Sequence, residues 1–106
     1  MPSFADRGKE FEARFRHDEE LRFKATARRN QMVGLWAAGL LGLEGEAAAA
    51  YAKEIVDCQF TPGGDQRVVD RLAVDLAAKD PSITPARIRF ELAHFAERAK
   101  QQLMKE

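Results

Sequence analysis

One cysteine, four prolines and a net charge of zero make this sequence readable first through what they exclude. Cys58 stands alone, so no internal disulfide can staple the fold, and a reducing cytosolic home is the simpler reading. Seventeen basic and seventeen acidic residues cancel, so no global field steers the chain to nucleic acid or to an anionic membrane. No apolar run approaches the roughly 20 residues of a membrane span, which argues against direct membrane insertion. The opening MPSFADRGKEFEARF alternates charge with phenylalanine and contains acids, unlike a signal peptide or an acid-poor transit peptide. Proline is absent from Phe4 to Leu43, so nothing there forbids a long helical run. At 106 residues the chain fits one domain with a modest core.

What the sequence does contain is helical periodicity. At 100° per residue, Phe4, Phe11 and Phe15 fall within about 40° of one another. Leu21, Ala25, Met32, Trp36 and Leu43 form a second line, displaced by roughly 70°. Between them lies the polar run Arg16-His17-Asp18-Glu19-Glu20. Two apolar stripes with different bearings suggest two partners, one inside the molecule and one outside. Ser3 is placed to cap the first helix, and Gly8 within it costs about 1 kcal/mol of helicity relative to alanine. Two readings of residues 1–17 stand on pattern alone. The segment is either frayed until it meets a partner, or its phenylalanines dock on the chain's own core.

From Asp18 the helical signal strengthens. Asp18, Glu19 and Glu20 complement a helix N-terminus, Glu20 and Lys24 are an i,i+4 pair, and Gly42 is the expected stop after about Leu41. Glu44 to Phe60 reads as the next helix, burying Ala48, Ala52 and Ile55, with Tyr51 and Val56 beside them. Thr61-Pro62-Gly63-Gly64 breaks the chain, and Asp65 is the expected N-cap of a helix carrying Val68, Val69, Leu72 and Leu76. Asp80-Pro81 stops it. Thr84 as cap, Pro85 at the first helical position, and Ile83 with Ile88 as a staple open the last helix. Ile88, Leu92, Phe95, Ala99 and Leu103 keep one face of it, with Phe90 opposite. The expected class is all-α: a four-helix bundle over residues 18–106, preceded by a mobile or extended arm over residues 1–17.

Chemistry finds little support. His17 and His94 are far apart in sequence, and the His17-Asp18-Glu19-Glu20 run sends its side chains in different directions on a helix. Cys58 has no histidine near it in sequence, and Gly63-Gly64-Asp65 lacks the lysine of a phosphate loop. No catalytic, cofactor or metal residue is expected, so the chain is not read as an enzyme. Arg28-Arg29-Asn30 is a local basic step, but nearby acids and the neutral total favour a solvated helix face over a nucleic-acid footprint. Trp36 reads as a core anchor.

The linked blocks F-E-x-x-F, H-D-E-E, F-K-A, A-R-R-N, G-L-W-A-A and Y-A-K-E, followed by GGD, carry a more specific signal. In that order and close spacing they resemble the zeta subunit of alphaproteobacterial F-type ATPases, small inhibitors of the ATP synthase. The resemblance is strongest from Phe11 to Val56. It implies a bundle whose N-terminal segment becomes an inhibitory helix at a catalytic α/β subunit interface of the F1 head. There it would contact the central rotor subunit and obstruct hydrolytic rotation. Family inhibitory positions fall on Phe4 to Glu19. Phe4, Phe11 and Phe15 become the expected partner-facing anchors, and Lys9, Glu10, Glu12, Arg14 and Arg16 the charges that set register. His17, Asp18 and Glu19 complete the expected contact segment. The resemblance also implies a monomer when free, cytoplasmic, and peripheral to the inner membrane when bound to the synthase. Gly8 departs from the family pattern, in which an acidic or helix-favouring residue is more usual there. A helical adaptor that binds the ATPase without strong inhibition is the alternative.

Overall fold

A computed structural model describes the backbone of residues 4–106 and the side chains of residues 6–106. The expected cap at Ser3 lies outside the described residues, as does the side chain of Phe4. Among the described residues five helices build the fold: α1 (Phe4–His17), α2 (Glu19–Leu40), α3 (Gly45–Cys58), α4 (Asp65–Ala77) and α5 (Pro85–Lys105). The all-α class holds, with no strand among the described residues.

The helix boundaries follow from local chemistry. Asp18 adopts an extended conformation (φ −106°, ψ 101°), and its carboxylate accepts a hydrogen bond from the Leu21 N–H at 3.0 Å. Asp18 therefore ends α1 and caps α2 in one residue. Gly42 closes α2 in the left-handed region (φ 80°). The Leu43 N–H donates to Ala38 O at 2.9 Å and the Gly42 N–H to Gly39 O at 3.2 Å, the paired bonds of a Schellman termination. Thr84 caps α5 by accepting from the Arg87 N–H, and Pro85 follows it.

Helix α2 is the central element, packed against α3, α4 and α5 as well as α1. This explains why its single expected stripe is incomplete. Leu21 and Ala25 are buried as expected, but Met32 and Trp36 are only half-buried, while Val33, Ala37 and Ala38 are fully enclosed. A helix with neighbours on several sides buries several faces, so no one bearing dominates. Gly34 lets α3 approach: a Cβ there would lie 2.7 Å from the Ala52 Cα, closer than packed atoms can sit. The main core joins Val33, Ala37 and Ala38 to Tyr51, Ile55, Val68, Val69, Leu72, Leu76, Ile88 and Leu92. Trp36 packs on its edge, as a core anchor should.

Two local expectations are corrected. Asp65 is the first residue of α4 and not its cap: Gly64 holds the cap position with positive φ (49°), and the Asp65 carboxylate is turned to α2 and the α3 terminus. Helix α3 spans Gly45–Cys58, shorter than Glu44 to Phe60, because Gln59 and Phe60 enter the turn that leads to Pro62.

Candidate functional site

The segment that the sequence singles out is α1, and its placement is specific. Phe11 is 9% exposed and lies in a small apolar cluster with Leu21 and Ala25 of α2 and Leu103 of α5. Phe15 and Met104 are half-buried against the same cluster. The Phe11 and Phe15 rings are 6.0 Å apart at 32°, one helical turn along α1. Of the two readings of residues 1–17, the structure thus places Phe11 on the chain's own surface. Burying one phenylalanine side chain fully is worth about 1.5–3 kcal/mol, so this contact holds α1 modestly.

Charge closes the cluster over. The Lys100 ammonium of α5 lies 2.7 Å from the Glu12 carboxylate and 4.9 Å above the Phe15 ring. One lysine therefore grips α1 by an ion pair and a cation–π contact together. Its side chain is 22% exposed, so the pair is better shielded than one on an open surface. The other expected partner-facing residues point outward. Lys9, Glu10, Arg14, Arg16, His17 and Glu19 are exposed, with Arg14 reaching Asp18 at 4.0 Å and Arg16 donating to the Glu12 carbonyl at 3.5 Å. Asp18 is half-buried at the junction, and its carboxylate is committed to capping α2. The structure thus gathers Phe11, Glu12 and Phe15 on the docked face and leaves the other charges toward solvent.

Sequence reasoning missed the α5 half of this arrangement. Leu103 was legible as the last residue of the α5 stripe, but nothing local marks Lys100 as the partner of Glu12. Arg28-Arg29-Asn30 reads from sequence as a solvated face able to pair with acids. Arg28 and Arg29 do pair with Glu106 and Asp65, but the face is not solvated at Arg29 and Asn30. Asn30 is fully buried, and the Arg29 side chain is 13% exposed. Arg29 donates to Asn30 Oδ1 (3.0 Å), Gln59 Oε1 (3.1 Å) and Asp65 Oδ1 (2.8 Å). Asn30 Nδ2 donates to Gln59 Oε1 at 3.0 Å, and Gln59 Nε2 to Asp65 Oδ1 at 3.0 Å. The network ties α2 to the end of α3 and the start of α4 with every buried polar atom partnered among the described residues. The Arg29 hydrogen bond, joined by that of Gln59, holds the Asp65 carboxyl below its ordinary range despite partial burial. Elsewhere on α3, Tyr51 donates to Asp75 at 2.7 Å, and burial followed by that carboxylate pushes its phenol well above the ordinary value.

A second surface stands apart from α1. Phe23, near the start of α2, and Phe60, just past the end of α3, are exposed, and their rings are 5.2 Å apart. Phe90 is exposed on α5, opposite the buried stripe. Among the described residues no group of three or more His, Cys, Asp or Glu side chains is arranged to hold a metal ion. No described helix is long and apolar enough to cross a membrane.

Against this geometry, the family model for ATPase inhibitor subunit zeta matches residues 1–102, covering α1 and nearly all of the helices behind it. No curated protein matches the chain.

Proposed function

The chain belongs to the ATPase inhibitor subunit zeta family, and from that premise we propose that α1 is its inhibitory element and residues 18–106 the four-helix bundle that carries it. Its role is that of an ATPase inhibitor, and its partner an ATPase. The finer reading is that α1 inserts at a catalytic α/β interface of the F1 head and contacts the central rotor subunit. There it obstructs the rotation that accompanies hydrolysis. The bundle remains outside the cleft, offering exposed apolar surface at Phe23 and Phe60.

One observation carries this reading: α1 is a separate amphipathic helix, joined to the bundle through the extended backbone of Asp18 and a small cluster apart from the main core. Such a helix can leave its neighbours without opening the interior. It presents an i, i+4 pair of aromatic anchors, the pattern by which an amphipathic helix seats in an apolar groove. The interleaved Lys9, Glu10, Arg14 and Arg16 supply register and orientation more than affinity.

The test is removal of residues 1–16 and measurement of ATP hydrolysis by the purified ATPase. The truncated protein is expected to fold, retain its helical signal, and lose inhibition. Full inhibition by the truncated protein overturns the assignment of α1. Binding of the intact chain with no change in hydrolysis would select the adaptor reading instead.

A further inference from the structure

We propose that the docked position of α1 is a latched, self-restrained state of the inhibitor, with Lys100 as the latch and Asp18 as the hinge. This rests on the reading that α1 is the inhibitory element, and it names how that element is regulated. The docked face of α1 is the face a partner must take. Phe11 is 9% exposed against Leu21, Ala25 and Leu103, Glu12 is paired with Lys100, and the Lys100 ammonium covers the Phe15 ring. Phe11 cannot contact this cluster and another protein at once, and Glu12 and Phe15 can give a partner their full surface only when Lys100 lets go. Binding is therefore an exchange, in which the partner replaces the α5 contacts of α1.

The construction of the junction permits that exchange. Asp18 caps α2 with its own side chain and is already extended, so α2 keeps its N-terminal cap when α1 swings away. The end of α5 is held independently of α1, because Arg28 of α2 pairs with Glu106 at 2.5 Å. The residues uncovered on release belong to the smaller cluster, and none of the sealed main core is exposed. The latch pair joins residues from opposite ends of the chain, so it depends on the packing of α1 beside α5.

A restrained state lowers the apparent affinity by the fraction of molecules that are open. Weakening the latch from the α5 side should therefore strengthen inhibition without altering any α1 residue. Lys100→Glu replaces attraction to Glu12 with repulsion and removes the cation over Phe15. The full-length variant is expected to inhibit ATP hydrolysis at a concentration about threefold to tenfold lower than the parent. Amides of residues 6–17 should exchange hydrogen faster, with those of α4 unchanged. The reverse experiment closes the latch. In a Cys58→Ser background, Glu12→Cys and Lys100→Cys are joined by a reducible bis-maleimide linker. The linked protein should lose at least tenfold in inhibitory potency, and cleavage of the linker should restore it.

Equal inhibition before and after linker cleavage overturns the latch, because α1 would then act from its docked position. So does a Lys100→Glu protein whose inhibition and exchange match the parent. If removal of residues 1–16 abolishes inhibition while these measurements stay flat, only the latch fails. If that removal leaves inhibition intact, the underlying reading fails.

Discussion

The described residues form two apolar clusters, and they are closed in different ways. The main core contains Val33, Ile55, Val68, Leu72, Leu76 and Ile88, each fully buried, and is drawn from four helices. The smaller cluster holds Phe11, Leu21, Ala25 and Leu103 at 6% to 9% exposure, closed by the half-buried Phe15 and Met104 and by a lysine. Both obey the same hydrophobic chemistry, but a sealed interior and an edge cluster behave differently when strained. Opening the first exposes many side chains from several helices. Opening the second releases one short helix. Cooperative stability belongs to the first and exchangeable contact to the second.

The sharpest way to break this comparison is a cavity in the main core. Leu72→Ala should cost about 2–5 kcal/mol and lower the thermal midpoint of the whole chain, read by circular dichroism. Phe11→Ala should ease release of α1 by about 1.5–3 kcal/mol, seen as faster hydrogen exchange over residues 6–17. Its thermal midpoint should move much less than that of Leu72→Ala. If the two variants melt alike, the clusters form one unit and the distinction fails.

Asn30→Ala tests whether the main body is held by polar contacts as well as packing. It leaves Arg29 Nε and Gln59 Oε1 each short of a partner and should cost about 1–3 kcal/mol by denaturant unfolding. A smaller effect belongs to Gly8→Ala. A Cβ there meets nothing within 4 Å, so the substitution should add up to about 1 kcal/mol to α1 helicity and strengthen inhibition.

The smallest effect is a pH dependence. The carboxyl of Asp65 is held below its ordinary range, chiefly by the Arg29 hydrogen bond. A group with a depressed folded value stabilises fully above its unfolded value, about 3.9, and that contribution fades as pH falls through the folded value. Asp65→Asn should therefore flatten the acid limb of the stability profile below about pH 4 and leave its neutral region nearly level. The side chain is 67% exposed, so solvent screening keeps the change small.

Much of the architecture was legible in advance because its causes are local. Thr84, Pro85 and Ile88 act within one turn, Gly42 supplies its own left-handed φ, and Val68, Val69, Leu72 and Leu76 repeat at helical spacing. The misreadings share a different cause. Asp65 looks like a cap from its neighbours, but Arg29 and Gln59 take its carboxylate. Arg29 and Asn30 look solvated until α3 and α4 close around them. Gly34, a poor helix former in isolation, is likewise accounted for only by the close approach of Ala52. The candidate site divides the same way: its aromatic spacing was visible, and its α5 partner was not.

The sequence by itself determined the helical class, most helix ends, the break in bearing near Asp18 and, through its linked blocks, the resemblance to an inhibitor family. Those properties arise from interactions within a few residues, where periodicity and capping are decisive. Only the tertiary structure decided that Phe11 is covered, that Lys100 lies over Phe15, and that Asn30 is buried. Each depends on a contact between distant parts of the chain, and such contacts exist only once the helices have packed.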